Sequence, residues 1–588
     1  MSQARQRYEH WLQDFPLSDE DRKTLEEMGK DPQAIENAFW EELQFGTGGL
    51  RGTMGPGSNC LNAFTIGRAA KGYAAYIAGL GEEAKAAGVV ISYDSRNNSR
   101  FFAELSGRIL IHAGIRVYFA AELHPVPLTS FAIRHYKAAG GIMITASHNP
   151  KIYNGFKVYG SDGAQLGPEP AAKVAALMEA DYAHVLDALP SLLEAQTSIL
   201  WHWLGEAWDE AYLTMVEGLS LNREALQEAA GKLKIVYTPL YGSGKKPVER
   251  ILRRLGFTQI FIPEEQALPN GDFPTASYPN PEYPEAMQLA VDLLHQEKAD
   301  LVIATDPDSD RLGVIVADVQ GEDHILSGNQ IGQLMMEYLL ATKTELGILP
   351  AKPYCVSTVV SGRLSQKICE AWGAKFYQCL TGFKFIAETI KEHTDEGDES
   401  FIFGYEESFG FLSGQDVRDK DAVFGAMLIC EMAAVAKAQG KTLVDFLEDL
   451  YQKYAYAAEK TVSLVREGKD GQDRIREAMA TIREEGGAFL ADLVEIDPSC
   501  QVRVLEDVQM GTKLDLASQE KTTLDLPKSN VLIFTFQDIN WLAIRPSGTE
   551  PKLKIYFGFY DKDQAKAQDL LDKVVDKVVK KVEALLDR

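Results

Sequence analysis

Short apolar runs alternate along the chain with longer stretches in which apolar positions recur at helical spacing, and that alternation is the form of a layered α/β protein. The first set of strands is VVISYD (89–94), RVYFA (116–120) and IMITAS (142–147). After an Ala- and Leu-rich stretch around 168–230, read as helical, the pattern restarts with KIVYTPL (234–240), QIFIP (259–263), LVIATD (301–306) and LGVIVAD (312–318). A third restart runs from YCVSTVV (354–360) to FIFGYEES (401–408). Ahead of all three, Tyr8, Trp11, Leu12 and Phe15 fall at helical spacing, which predicts helices in 1–45 that pack on the first domain. The tail differs. VLIFTF (531–536), WLAIRPS (541–547) and LKIYFGFY (553–560) precede an amphipathic helix with Leu571, Val574, Val575, Val578, Val582 and Leu585 on one face. Strands followed by a terminal helix predict an α+β domain with an antiparallel sheet on which that helix packs. The expected boundaries are 1–205, 206–325, 326–455 and 456–588.

A chain of 588 residues accommodates about four domains at roughly 150 residues each. Its 45% hydrophobic and 25% charged residues exclude wholesale disorder. The net charge of −25 repels nucleic acid and anionic lipid, so neither is an expected partner. An anionic substrate then requires local Arg, Lys and backbone N–H groups at its site. The six cysteines lie far apart with no CxxC pair and read as buried thiols, neither a disulfide framework nor a zinc site. The first residues, MSQARQRYEHWLQDF, lack the apolar core of a signal peptide, and no apolar run approaches a membrane span, so a cytoplasmic location is expected.

Four loops carry candidate chemistry. In TASHNP, Pro150 stops the strand and biases Asn149 away from helix, so Ser147 is presented on a turn beside His148 as a candidate nucleophile. Lys157, in the next apolar run, can lie beside it across a hairpin. DPDSDR (306–311) places Asp306, Asp308 and Asp310 after an apolar strand, a hard-oxygen set suited to Mg²⁺ or Ca²⁺. It is no EF-hand, because Arg311 stands where Gly is required and Ala317 where Glu is required. GYEES (404–408) sets Glu406, Glu407 and Ser408 on a turn suited to adjacent sugar hydroxyls, with Lys420 downstream in VRDKD. RPSGTEPK (545–552) offers Arg545, Ser547, Gly548 and Thr549 to a phosphate. Singly, each motif also reads as a solvated turn. GTGGLRG (46–52) lacks a preceding strand, and YGSGKK (241–246) lacks the first Gly and the Ser/Thr of a P-loop, so neither supports NAD or ATP binding.

In this order and at domain spacing, the four loops resemble the α-D-phosphohexomutase family over nearly the whole chain. The resemblance implies three related α/β domains with mixed sheets plus a C-terminal α+β domain, arranged around one central cleft. It implies that Ser147 is the phosphoserine and holds Mg²⁺ with Asp306, Asp308 and Asp310, and that Arg51 and Arg311 face the site. Glu406 and Ser408 would grip sugar hydroxyls, Thr381 and Gly382 of TGFKF would belong to a second sugar loop, and Arg545, Ser547, Gly548 and Thr549 would hold the phosphate that is not transferred. Lys157, Lys420 and His148 are the further catalytic candidates, and the acid/base role is open between the two lysines. Gly410 stands where many bacterial phosphomannomutase-type members carry His. The expected reaction interconverts glucose 1-phosphate and glucose 6-phosphate through glucose 1,6-bisphosphate, with pentose or mannose phosphates as alternatives, in a monomer or weak homo-oligomer. Two rivals fare worse. A phosphatase with Asp306 as nucleophile leaves TASHNP idle, and a non-catalytic sugar-phosphate binder predicts a lost nucleophile or metal ligand.

Overall fold

Most of the apolar runs, among them Val89–Tyr93, Gly140–Ile144, Leu301–Thr305, Tyr354–Thr358 and Phe401–Glu406, fold as fully buried strands, which is what sheets covered on both faces by helices demand; Gln259–Phe261 is only partly covered. The computed structural model describes residues 2–46, 48–466, 468–547 and 551–587. The chain divides into two units, 1–328 with 386–443, and 329–385 with 444–588.

In the first unit a six-stranded mixed sheet is built from β1 (Gly49–Thr53), β2 (Val89–Tyr93), β3 (Val117–Ala120), β4 (Gly140–Ile144), β5 (Tyr153–Gly160) and β6 (Trp201–Leu204), in the order β1-β5-β4-β2-β3-β6. β2 runs parallel to β3 and β4, and β3 parallel to β6, whereas β5 is antiparallel to β4 and β1. The β4–β5 hairpin pairs Met143 with Lys157, and β5 in turn pairs Gly155 with Arg51. β6 corrects the all-helical reading of 168–230. Its four residues are too few to show a period of their own, and its strand state comes from parallel pairing on β3. A second mixed sheet comprises β7 (Lys234–Thr238), β8 (Gln259–Phe261), β9 (Leu301–Thr305), β10 (Leu312–Ala317) and β11 (Asp323–Leu326), in the order β11-β10-β9-β7-β8. The N-terminal helices Gln3–Asp14, Asp19–Met28 and Pro32–Phe39 begin at Ser2, Ser18 and Asp31, whose side chains accept from the first-turn N–H groups. Their Trp11 and Phe15 stack at 4.3 Å and bury against Phe64 and Tyr182 of the first domain, as the sequence predicts.

A hairpin of Phe401–Glu406 and Gly410–Leu412 also lies in this unit, followed by helix Ala422–Ala438. That helix is buried from Ala422 to Ala436, including Glu431. Burying a carboxylate costs several kcal/mol unless it is hydrogen-bonded. Here the N–H groups of Leu221 (3.0 Å) and Asn222 (3.1 Å) donate to Glu431.

The second unit contains a seven-stranded antiparallel sheet in the order Tyr456–Val465, Lys552–Asp561, Trp541–Pro546, Leu532–Thr535, Val504–Asp507, Thr512–Asp515, Lys521–Thr523. Helix Gln564–Leu586 buries Leu571, Val574, Val575, Val578 and Val582 in the core of that sheet. The stripe is completed by buried Leu586, with Leu585 only partly covered, because 3.6-residue periodicity carries the face from Val578 and Val582 to position 586. A parallel pair, Tyr354–Thr358 with Lys375–Cys379, belongs to the same unit. All six cysteines are free and buried. Among the described residues no single helix is long and apolar enough to cross a membrane.

Candidate active site

β4 delivers its chain into a tight turn at which Ser147 adopts φ = 52°, the left-handed region that a non-glycine residue enters at a cost of about 1–3 kcal/mol. Thr145 Oγ1 accepts from the Ser147 N–H at 2.8 Å, and the Ser147 hydroxyl is almost wholly buried. It donates to Asp306 Oδ2 at 2.7 Å and lies 3.0 Å from His148 Nδ1. Residues 159 positions apart in sequence thus meet at one hydroxyl.

The Asp306–Asp310 loop leaves β9 as the sequence predicts. Asp306 Oδ1 accepts from the N–H groups of Asp310 (3.1 Å) and Arg311 (3.0 Å), which closes the loop on itself. The three carboxylates are buried and each offers an oxygen within 4.8 Å of the others. Three buried anions at this spacing repel strongly. Desolvation, then the charges of Asp308 and Asp310, push Asp306 well above the usual carboxylate range. Asp308 Oδ1 and Asp310 Oδ1 are buried and accept no hydrogen bond among the described residues. Orphaned hard oxygens beside a carboxylate that its neighbours force toward protonation are the donor set that a small divalent cation satisfies.

Cations already surround the triplet. Lys157 Nζ lies 2.9 Å from Asp308 Oδ2 and 3.4 Å from Asp310 Oδ2, and Lys420 Nζ lies 3.2 Å from Asp310 Oδ2 and 3.0 Å from Asp419 Oδ1. Burial works against the charge on both lysines. Asp308 and Asp310 outweigh it for Lys157, and Asp310, Asp419 and Glu406 for Lys420, so both are held protonated above the usual lysine value. Those lysines, with Arg311, also hold Asp310 far below the ordinary Asp value despite burial. Desolvation, and then the charges of Arg311, Arg51, Arg96 and Lys157, keep the His148 imidazole neutral.

Arg51, on the edge strand β1 that pairs with β5, donates from Nη1 to Asn149 Oδ1 of the serine loop at 3.1 Å, so the second half of GTGGLRG is strand. Its Gly49 has no room for a side chain, since a Cβ there would stand 1.8 Å from the Phe156 carbonyl oxygen. Arg311 lies 3.6 Å from Glu282. Glu406 ends its strand buried, near enough to Lys420 and Arg311 to contribute to their charge balance, and Ser408 follows on the half-buried turn.

The serine loop has a support that the sequence did not signal. Arg96 is 3% exposed, and its guanidinium donates to the carbonyls of Ser147, Asn149 (2.6 Å), Pro150 (3.1 Å) and Tyr153 (3.1 Å). Its Nε lies 3.3 Å from Asp94 Oδ2, and Asp94 Oδ1 accepts from Ser99 Oγ at 2.7 Å. The only trace in sequence is an Asp and an Arg two apart after β2, a spacing shared by countless surface turns.

Thr381, Gly382, Arg545 and Ser547 belong to the second unit. Gly382 has φ = 120°, and the Thr381 hydroxyl and Arg545 Nη1 are buried without a hydrogen-bond partner among the described residues. The Ser547 N–H donates to the Lys552 carbonyl at 2.8 Å. Gly548 and Thr549 lie outside the described residues.

The chain matches all four domain models of one family: phosphoglucomutase/phosphomannomutase alpha/beta/alpha domain I over residues 42–184, domain II over 210–321, domain III over 327–454 and the C-terminal domain over 502–577. A phosphoglucomutase of Staphylococcus epidermidis is 38% identical over 515 residues, 87% of this chain and 90% of the relative. Among solved structures, a putative phosphomannomutase from Thermus thermophilus superposes with a TM-score of 0.65 at 21% identity, covering 92% of this chain and 99% of that one. The open form of parafusin from Paramecium gives 0.68 at 17% identity, covering 93% and 96%. With every domain of the family present in order and a full-length relative at this identity, the chain belongs to the phosphoglucomutase/phosphomannomutase family, the α-D-phosphohexomutases, and is a phosphohexomutase isomerase.

Proposed function

We propose that the enzyme interconverts α-D-glucose 1-phosphate and glucose 6-phosphate by way of phospho-Ser147 and a glucose 1,6-bisphosphate intermediate. The observation that carries the reading is the Ser147 hydroxyl, 2.7 Å from Asp306 in a buried cluster where Lys157 pairs with the neighbouring Asp308. The name of the 38% identical relative supports glucose as the sugar. The two phosphate-bearing positions of a hexose are too far apart for direct in-line transfer, so the phosphoryl group must pass through the enzyme. Phospho-Ser147 gives its phosphoryl group to the free hydroxyl: the Oγ–P bond breaks as the sugar O–P bond forms, and the hydroxyl proton leaves to a nearby base. The bisphosphate then reorients, and its other phosphoryl group returns to Ser147.

Asp306, Asp308 and Asp310, with the phosphate on Ser147, would hold Mg²⁺, which when bound supplies Lewis-acid stabilisation of charge on the phosphoryl oxygens. Arg51, Arg311, Lys157 and Lys420 add fixed positive charge around the transferring group, and so serve a dianion inside a protein of net charge −25. Of the candidates, the neutral imidazole of His148 can accept the hydroxyl proton, while Lys157 and Lys420, held protonated, would act as acids toward the sugar oxygen that gives up its phosphoryl group. Glu406 and Ser408 would orient sugar hydroxyls together with Thr381 and Gly382. Arg545 and Ser547, with Gly548 and Thr549, would bind the other phosphate.

The test compares kcat/KM for glucose 1-phosphate, mannose 1-phosphate and ribose 1-phosphate with a catalytic amount of glucose 1,6-bisphosphate. Glucose 1-phosphate is expected to lead by about tenfold or more, a difference of roughly 1.4 kcal/mol in transition-state binding. A lead for ribose 1-phosphate would make the enzyme a phosphopentomutase instead.

A further inference from the structure

Against the backbone of the metal loop lies a cavity of about 440 Å³ that the mutase reaction does not use. Its size falls within the roughly 300–1,000 Å³ of small-molecule sites. Leu123, Leu128, Tyr212, Leu213 and Pro247 give it apolar walls. The charges at its lining pair off almost completely. Asp209 meets His124 (2.7 Å) and Lys246 (2.7 Å), Lys246 also meets Glu122, Arg250 meets Glu206 (2.6 Å) and Glu210, and Glu249 meets Arg253 (3.3 Å). Lys245 remains, half-buried, as the lining charge with no ion pair among the described residues. An apolar chamber whose rim carries one cation held in no ion pair offers that ammonium to the charged end of an amphipathic monoanion.

The floor of the chamber is tied to the catalytic loop. The N–H and hydroxyl of Ser243 both donate to the Pro307 carbonyl at 2.8 Å, and the Val126 N–H, next to lining residue Pro125, donates to the Asp308 carbonyl at 2.9 Å. Gly242 packs so closely that a Cβ there would stand 2.4 Å from the Pro307 Cα. Leu240 and Tyr241, just before it, hold φ of 44° and 62°, so the YGSGKK turn is a strained segment fixed by its surroundings. That turn is not a P-loop; it is the wall shared by the cavity and the Asp306–Asp310 loop.

We propose that this cavity is a regulatory site for an amphipathic monoanion, a small apolar body bearing one carboxylate, sulfonate or phosphodiester charge, and that its occupation is coupled to cation binding at the Asp306–Asp310 loop. The coupling rests on the cation reading of that triplet; the ligand site does not. By linkage, the cation must change the affinity of the cavity as much as the cavity ligand changes that of the cation.

The probe is 8-anilinonaphthalene-1-sulfonate, whose fluorescence is titrated with the full-length enzyme in Mg²⁺ and, separately, after EDTA treatment. The expected result is saturable one-site binding, weakened by Lys245→Glu by about fivefold or more, the order of one partly exposed ion pair. Leu123→Trp, which fills the chamber from its half-buried rim, should abolish it while kcat for the mutase reaction is retained. The dissociation constant should differ between the Mg²⁺ and EDTA samples by about fivefold, a typical coupling. Binding that both variants leave unchanged, or no saturable binding, overturns the site. Variant-sensitive binding with the same dissociation constant in Mg²⁺ and EDTA overturns the coupling. Turnover that persists in EDTA overturns the cation reading and leaves the variant arm to decide the site.

Discussion

Replacing Arg96 by Lys tests whether the left-handed turn at Ser147 is held by a guanidinium. The wild-type fork donates to four carbonyls between Ser147 and Tyr153 and pairs with Asp94. A lysine ammonium has three donors on one atom and cannot span that set. Hydrogen bonds to a charged group contribute about 1.5–3 kcal/mol each, and losing two with partial relaxation gives a deficit of roughly 3 kcal/mol. That exceeds or equals the roughly 1–3 kcal/mol stored in the turn, so the serine loop should relax from φ = 52°. If the deficit falls on the reacting geometry, kcat drops about 100-fold, at ~1.4 kcal/mol per decade. KM should stay within about threefold, because Arg96 faces the main chain behind the loop and interactions made equally in ground and transition states are not touched. The assay is steady-state formation of glucose 6-phosphate from glucose 1-phosphate, alongside thermal melting. A variant that melts lower yet keeps kcat within about twofold would reduce Arg96 to a folding residue and refute the argument. Asp94→Asn, which leaves the guanidinium but removes its counter-charge, should fall between wild type and Arg96→Lys in kcat.

Ser147→Ala should eliminate interconversion and the incorporation of labelled phosphate into the protein; labelled protein would place the nucleophile elsewhere. Chelation with EDTA should stop turnover and Mg²⁺ restore it, and Asp308→Asn should raise the Mg²⁺ concentration for half-maximal rate by about tenfold or more, with an unchanged requirement counting against the triplet as ligands. Gly49→Ala should cost about 3 kcal/mol by forcing β1 off the Phe156 carbonyl, read as a lower denaturant midpoint, and should carry Arg51 away from Asn149. Burial raises Asp421 to about 6, opposed only in part by hydrogen bonds from the Phe424 and Val423 N–H groups and the Tyr212 hydroxyl. The folded state therefore binds the extra proton between the unfolded value near 3.8 and about 6. Stability from this group is full below pH 3.8 and is lost as pH rises through 6, by about 3 kcal/mol at most. Asp421→Asn, which keeps an acceptor for Phe424 and Tyr212, should flatten the unfolding free energy over that window; an unchanged slope would exclude Asp421 as its source.

What the sequence discloses and what it hides divide along a physical line. The proposed nucleophile and cation site are particular side chains at strand ends, so Ser147 after β4 and the alternating aspartates after β9 could be picked out as candidates directly, and the domain restarts followed from strands buried on both faces. Groups whose work is done on main chain leave almost no mark. The partners of Arg96 are carbonyls 51 to 57 residues away, and every residue has a carbonyl. β6 was hidden for a related reason, since four residues paired on one edge carry no period, and no strand was read in GTGGLRG because β1 is a strand only through its register with β5. The YGSGKK turn illustrates the converse. Judged as a phosphate cradle it fails for want of a Gly and a hydroxyl, yet Gly242 and Ser243 are placed by what the Asp306–Asp310 loop requires, a backbone that approaches within contact of Pro307 and two donors for its carbonyl. A glycine-rich turn before a helix therefore has two physical uses, to admit an anion or to admit another loop. Distinguishing them needs the identity of the neighbour, which the linear order of residues does not contain.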